Sequence, residues 1–208
     1  MPRIKGRKPE DTREAALEAA IWAFAELGYA NATLSIIAQK AGVTAATLPY
    51  HFRDKQGLWD AVIEEFYKKL LAFGASLTGV GAPPGVASPP SLELALMRVY
   101  DWCEENRNGI RVIIRNVIET GALDRQVREV RMGAALALVS RFVAQRFGVD
   151  EARARDTAVA VTHLVTRFVT NSPEDNAAAF GATSQAEVRA RILDILVRVA
   201  RALLAPPQ

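Results

Sequence analysis

The chain is predicted to be all-α, and three observations predict it. Residues 33–55, TLSIIAQKAGVTAATLPYHFRDK, read as two short helices around a tight turn at Gly42. Longer segments follow in which apolar residues recur every three or four positions. Glycine, proline and capping residues punctuate those segments, at Gly121, Gly148, Ser172-Pro173 and Ser184 among others. Half of the 208 residues are apolar, enough for a real core in one large or two modest domains.

Residues 33–55 set the reading of the rest. Thr33 is a helix N-cap candidate, because its hydroxyl can accept from a free first-turn N–H. Leu34, Ile37, Ala38 and Ala41 follow at helical spacing. Gly42 stops that helix where the backbone needs a positive φ. Val43 can plug the gap between two helices, and Thr44 can cap a second helix opening at Ala45, Ala46, Thr47 and Leu48. This is the helix-turn-helix pattern, whose second helix fits the major groove and reads bases from its N-terminal residues. Pro49 lacks an N–H and collides with the carbonyl four residues back, so this helix is expected to be short or kinked near Leu48.

Ile37-Ala38, Ala41-Gly42-Val43-Thr44, Thr47-Leu48, Tyr50-His51-Phe52 and Lys55 together resemble the DNA-binding domain of the tetracycline-repressor (TetR) family. The resemblance runs from about Thr12 to Phe66; beyond that it is architectural, a long helical remainder of suitable length. It implies a basic arm over 1–10 and a three-helix DNA-binding domain over 11–57. It also implies a larger helical bundle over 58–208 for ligand binding and dimerisation. The implied partners are a double-stranded DNA operator, a small-molecule effector and a second copy of the chain, with no membrane. The implied action is repression, released by the effector. Ser35, Ala45, Ala46, Thr47, Tyr50, His51 and Lys55 match the family's DNA contacts, the last three mainly holding phosphates. Gln39, exposed beside Ser35, and Thr44 complete the candidate set. Pro49 departs from the family, which usually has an aromatic residue there; the usual contact from that position is in question.

The net charge is only +3, so the chain is no polycation that coats nucleic acid. Basic charge is local instead: Arg3, Lys5, Arg7 and Lys8 carry no acid among them, and suit either a solvated tail or an arm on the phosphates. The single cysteine, Cys103, excludes an intrachain disulfide and suits a reducing compartment. No apolar run follows the N-terminal charges and none approaches the length of a membrane span, so a soluble cytoplasmic protein is expected.

In order along the chain, 11–27 reads as a scaffold helix. Asp11 and Glu14 stand at capping-box spacing, Leu17, Ala20, Ile21 and Phe24 form one stripe, and Gly28 ends it. Asp54 can cap a long helix to about Leu77, which starts beside DNA and ends in the second half of the chain, a natural lever. The Pro/Gly-rich stretch 78–91 reads as a loop. Helices are expected over 92–106, 110–120, 124–147 and 150–171, a short turn over 175–180, and a last helix opened by the Ser184/Glu187 capping box.

That last helix is apolar on both sides of a polar stripe of Arg191, Asp194, Arg198 and Arg201. It therefore needs cover on two sides, and a second copy is the expected second cover. Val188, Ile192, Leu193, Leu196, Val197, Ala200 and Leu204 are the candidate dimer interface. Candidates for a ligand site are polar or aromatic residues within the apolar helices: Trp102, Arg115, Asn116, Glu119, His163 and Arg167. For any one of them a solvated face or a satisfied core side chain is the plainer reading.

Catalytic and metal chemistry find little support. Two histidines and one cysteine show no zinc-ligand spacing, and no phosphate-cradling glycine loop occurs. Neither a cofactor nor a metal is expected. Cys103 and His163 as nucleophile and base have nothing else behind them, and Cys103 sits on an apolar stripe. A helical enzyme or small-molecule carrier with a helix-turn-helix is the rival reading. It would show turnover, without salt-sensitive, sequence-selective DNA binding.

Overall fold

A computed structural model describes residues 9–78, 90–122, 125 and 127–206. The expected arm residues Arg3, Lys5, Arg7 and Lys8, most of the 78–91 loop and Asp124 lie outside them. Every regular element among the described residues is helical: α1 (Pro9–Asn31), α2 (Leu34–Ala41), α3 (Thr47–Phe52), α4 (Lys55–Thr78), α5 (Leu92–Glu105), α6 (Arg107–Thr120), a π-helical stretch (Val127–Met132), α7 (Gly133–Phe147), α8 (Glu151–Thr170), α9 (Pro173–Phe180) and α10 (Gln185–Leu204).

Local chemistry accounts for most boundaries. Thr33 caps α2 by accepting from the Ile36 N–H at 3.3 Å, and Gly42 ends it at φ 70°. Asp54 Oδ1 accepts from the Gly57 N–H at 2.8 Å and so starts α4. Asp150 and Ser172 cap α8 and α9 in the same way, and Pro173 takes the first helical position of α9. Ser184 accepts from the Glu187 N–H as the capping box requires, but the Glu187 carboxylate reaches back one residue further, to the Thr183 N–H. Asp11 is not a cap: the described helix already runs from Pro9, and Asp11 lies within its first turn.

The described residues fall into two compact units. One comprises residues within Met1–Lys68 and Asn108–Leu123, the other residues within Lys69–Arg107 and Asp124–Gln208. The units do not part at residues 57 and 58, and α6 goes with the first. In that unit Ala16, Ala20 and Phe24 of α1 pack with Ile37, Leu48, Leu58, Val62 and Val112, all nearly fully buried. Trp59 of α4 stands edge-on to both Phe24 and Tyr29 of α1. The physical reason α6 joins this core is specific. Arg111 pairs with Glu26, Arg115 donates to the carbonyls of Ala25 and Glu26, and the absent side chain of Gly109 leaves room for the Phe66 ring.

In the second unit α8 and α10 pack on each other and both pack on α5, with α7 against α8 and α9 against α10. Their core is Leu96, Tyr100 and Cys103 from α5, Ala154, Val161, Val165 and Val169 from α8, and Val188, Ile192, Leu196 and Ala200 from α10. The helix expected over 124–147 is instead divided, with the π-helical stretch before α7.

Candidate nucleic-acid interface

The site is built on α2, the turn after it, α3 and the first turn of α4. Leu48 and Phe52 are buried and anchor α3 to the core, which turns the intervening residues outward. Tyr50 is 85% exposed, the largest exposure among the big apolar side chains described. A large ring held in water on a six-residue helix between two core anchors has no packing role.

The second motif helix starts later than expected. Ala45 and Ala46 lie in a turn, and α3 begins at Thr47. Thr44 does not cap a backbone N–H; its hydroxyl meets the Thr47 hydroxyl at 2.8 Å, while its carbonyl accepts from the Thr47 N–H at 2.9 Å. Pro49 explains the delay. A helix opening at Ala45 would need an N–H from Pro49, which has none. With the start at Thr47, Pro49 falls in the first turn, where N–H groups lack intrahelical partners anyway. The helix is short, as expected from the sequence, and it is not kinked at Leu48. The Pro49 carbonyl then accepts from the Arg53 N–H at 2.9 Å, closing the helix.

Beyond α3 the chain turns sharply, with Arg53 at φ 67°. Gly57 is needed here, because a Cβ would overlap the Phe52 carbonyl. The Gly57 N–H holds the Asp54 carboxyl below its ordinary value of 3.8, aided by the Arg53 guanidinium at 3.1 Å. Asp54 is thus a fixed anion at the α4 N-terminus, as the helix dipole favours.

The remaining expected contacts fall on the same unit. Ser35 and Gln39 are exposed on α2, and Thr44, Ala45 and Ala46 are exposed on the turn. Thr47 and His51 are half-buried, the His51 ring lying between Tyr50 and Phe52. Lys55 is more engaged than a free phosphate clamp. Its ammonium donates to the Ala30 carbonyl at 3.1 Å and lies 4.5 Å from the Tyr29 ring centre. Two of its three N–H groups remain for an anion.

Three cations on this unit were missed by motif reading. Arg13 sits over the Phe52 ring, Lys40 over the Trp22 ring, and Arg53 is 81% exposed in its side chain. Helical spacing could have shown Lys40 on the exposed side of α2 beside Gln39. Nothing local marks Arg13 as a neighbour of α3.

The expected ligand residues are divided between the two units. Arg115 and Glu119 bond each other at 2.7 Å against the end of α1, which has no basic residue in its own last turn. Asn116 lies half-buried on α6 and its carbonyl accepts from the Thr120 hydroxyl. Trp102 belongs to the second unit, stacked on Phe73 with ring centres 5.1 Å apart. His163 and Arg167 are exposed on α8, and His163 Nδ1 bonds the Val159 carbonyl of its own helix. Cys103 is buried, and desolvation pushes its thiol up to about 12.

The dimer candidates need a similar correction. Val188, Ile192, Leu196 and Ala200 are no more than 3% exposed within the single chain, so they offer nothing to a second copy. Their spacing of four matches the face that α5 and α8 already cover. Leu193 and Val197 are half-exposed, and line with Leu94 and Met97 an open groove of about 530 Å³ between α5 and α10. Leu204 is also half-exposed.

Residues 16–62 match the family described as bacterial regulatory proteins, tetR family. The HTH-type transcriptional regulator SrpR of Pseudomonas putida is 38% identical over 115 residues, 51% of this chain and 54% of the relative. A probable HTH-type transcriptional regulator of Bacillus subtilis, YttP, is 27% identical over 119 residues, 56% of this chain and 55% of the relative. The chain thus spans about half the length of these curated relatives. In fold, a TetR-like transcriptional regulator from a Rhodococcus species superimposes with a TM-score of 0.64 at 18% identity, over 99% of this chain and all of the other.

Proposed function

We propose that the chain, whose residues 16–62 match the tetR family of bacterial regulatory proteins, is a homodimeric transcription regulator of that family, a repressor that leaves its operator when a small molecule binds. The observation that carries the reading is the exposed tip. Thr44, Ala45 and Ala46 face water ahead of the buried anchor Leu48, and Tyr50 faces water between Leu48 and Phe52, with Arg53 and Lys55 next in sequence. Such a tip suits a major groove, and the cations suit the phosphates on its rim.

The effector is an apolar or aromatic small molecule held in the second unit. The Phe73–Trp102 stack supports this, since Phe73 is in the last turns of α4 and Trp102 in α5. A ring inserted there shifts the end of α4, whose first turn carries Lys55. The effector acts only through its different affinity for the two states, and a coupling of about 1–3 kcal/mol is typical. Dimerisation uses the outer residues of α10, Leu193, Val197 and Leu204. It sets two tips on successive major grooves about 34–36 Å apart. The enzyme reading draws no support from His163, which is exposed, or from Cys103, which is buried with its thiol pushed up to about 12.

A gel shift with the DNA flanking the chain's own gene tests the proposal. A dimer that shifts this DNA, and releases it with an aromatic effector, is expected. A well-folded dimer that shifts no duplex at low salt would refute it.

A further inference from the structure

The tip carries an unusual chemistry for a base reader. From Thr44 to Tyr50 it runs Thr-Ala-Ala-Thr-Leu-Pro-Tyr, and all but the buried Leu48 reach the surface at least in part. None of these side chains is a guanidinium, ammonium, carboxamide or carboxylate, the groups that make the two-point hydrogen bonds to base edges. The polar atoms are three hydroxyls. Two of them, on Thr44 and Thr47, bond each other at 2.8 Å, which leaves one hydroxyl hydrogen between the pair. What the tip chiefly presents is carbon: the methyls of Ala45 and Ala46, the threonine methyls and the Pro49 ring.

The major groove of B-DNA has one apolar group to match, the C5-methyl of thymine. Resting on the DNA-reading assignment above, we propose that this tip selects pyrimidine C5-methyl groups. Its preferred duplex carries thymine at the steps facing Ala45, Ala46 and Thr47, and 5-methylcytosine substitutes there where cytosine does not. Hydrogen-bonding base edges contribute little at those steps.

Neighbouring groups do not undercut this. Arg13, Lys40, Arg53 and Lys55 lie on the same unit as the tip and suit phosphates, contacts that fix register and carry no sequence. Arg53 pairs with Asp54 beyond the C-terminus of α3, away from the end that enters a groove. Gln39 is an exposed amide on α2 and can pair with adenine. That contact is separable, because 7-deazaadenine removes the N7 acceptor and leaves every C5-methyl in place.

The full-length chain is first used to select duplexes from a random pool. The preferred duplex is then remade with deoxyuridine for thymidine, one position at a time, with 5-methylcytosine or cytosine for thymine, and with 7-deazapurines. Uracil is expected to weaken binding about fourfold per contacted methyl, the worth of one buried methylene-sized group. At the same positions 5-methylcytosine recovers most of the loss that cytosine causes, and 7-deazapurines change binding by less than about twofold. Ala46→Gly should shrink the uracil penalty at one position and leave the others unchanged. Equal binding of thymine and uracil duplexes, with loss on 7-deaza substitution, would overturn methyl reading and leave DNA reading intact. Selection of no duplex would overturn both.

Discussion

Arg115 caps a helix that is not its own: its Nη1 donates to the Glu26 carbonyl at 3.0 Å, close to the end of α1. The same atom reaches the Ala25 carbonyl at 3.3 Å, and Nε holds Glu119 at 2.7 Å. Gly28 kinks α1 just past these carbonyls, so a cation there complements the dipole of the segment that ends at the kink. From this end the chain continues through Gly28 to Tyr29 and Ala30, which grip Lys55 and Gln56 at the start of α4. The cap therefore lies at one end of a chain of contacts that finishes beside the reading tip.

Gly28 makes the cap possible. It sits at φ 77° and ψ 166°, a region open essentially to glycine, and a Cβ would stand 2.7 Å from Glu119 Oε1. Gly28→Ala should cost about 1–3 kcal/mol, and Arg115→Ala about 1 kcal/mol. The double variant should lose less than the sum, because alanine at 28 already displaces Arg115. Urea unfolding of the four proteins checks this; strict additivity would separate the two residues.

The two faces of α10 should respond differently. Ile192→Ala opens a cavity at a fully buried site and should cost about 2–5 kcal/mol. Leu193→Ala, on the half-exposed groove face, should leave monomer stability within about 1 kcal/mol but weaken self-association. Sedimentation equilibrium alongside urea melts reads both effects. An unchanged dimer in the Leu193 variant would move the interface elsewhere.

Acid should weaken the fold through its capping carboxylates. Asp54 is held below its ordinary 3.8 by the Gly57 N–H and then by Arg53; Asp150 is lowered chiefly by the Arg153 N–H; Glu187 falls below 4.5 chiefly through the Thr183 N–H. Lowered folded values mean stability that is present above the unfolded values and is lost as pH falls through the folded ones. Urea midpoints should therefore drop from about pH 5 downward. Asp54→Asn keeps a good cap and should make that drop shallower, and an unchanged slope would contradict the assignment.

Cys103 gives the opposite sign. Burial, with Glu104 adding to it, raises the thiol from 9.0 to about 12, so its stabilising share is complete below pH 9.0 and is lost as pH rises toward 12. In the native chain it should react with iodoacetamide far more slowly than in the denatured chain, as mass spectrometry will show. Rapid native labelling would contradict its burial.

Much of this fold was legible because its signals are local. Thr33, Gly42, Asp54, Asp150 and Ser184 each act within four residues of their own position, and each was read correctly. The start of α3 was misjudged because Thr44 looks like a cap, and the missing Pro49 amide decides otherwise. On α10, periodicity showed two apolar faces, but only the partners α5 and α8 determine which is consumed. The bonds from Arg115 to α1 were not legible, because its acceptors stand 89 and 90 residues away, a separation no spacing rule spans.

Titrating a selected duplex with the chain across a salt series tests the central claim most directly, since it reads whether the tip and its flanking cations engage phosphates and bases. Log affinity should fall linearly with log salt by about 0.9 per phosphate neutralised. Arg53→Ala should reduce that slope by about 1, and Tyr50→Ala should weaken binding without changing the melting temperature. A flat salt dependence, or full affinity in both variants, would contradict it.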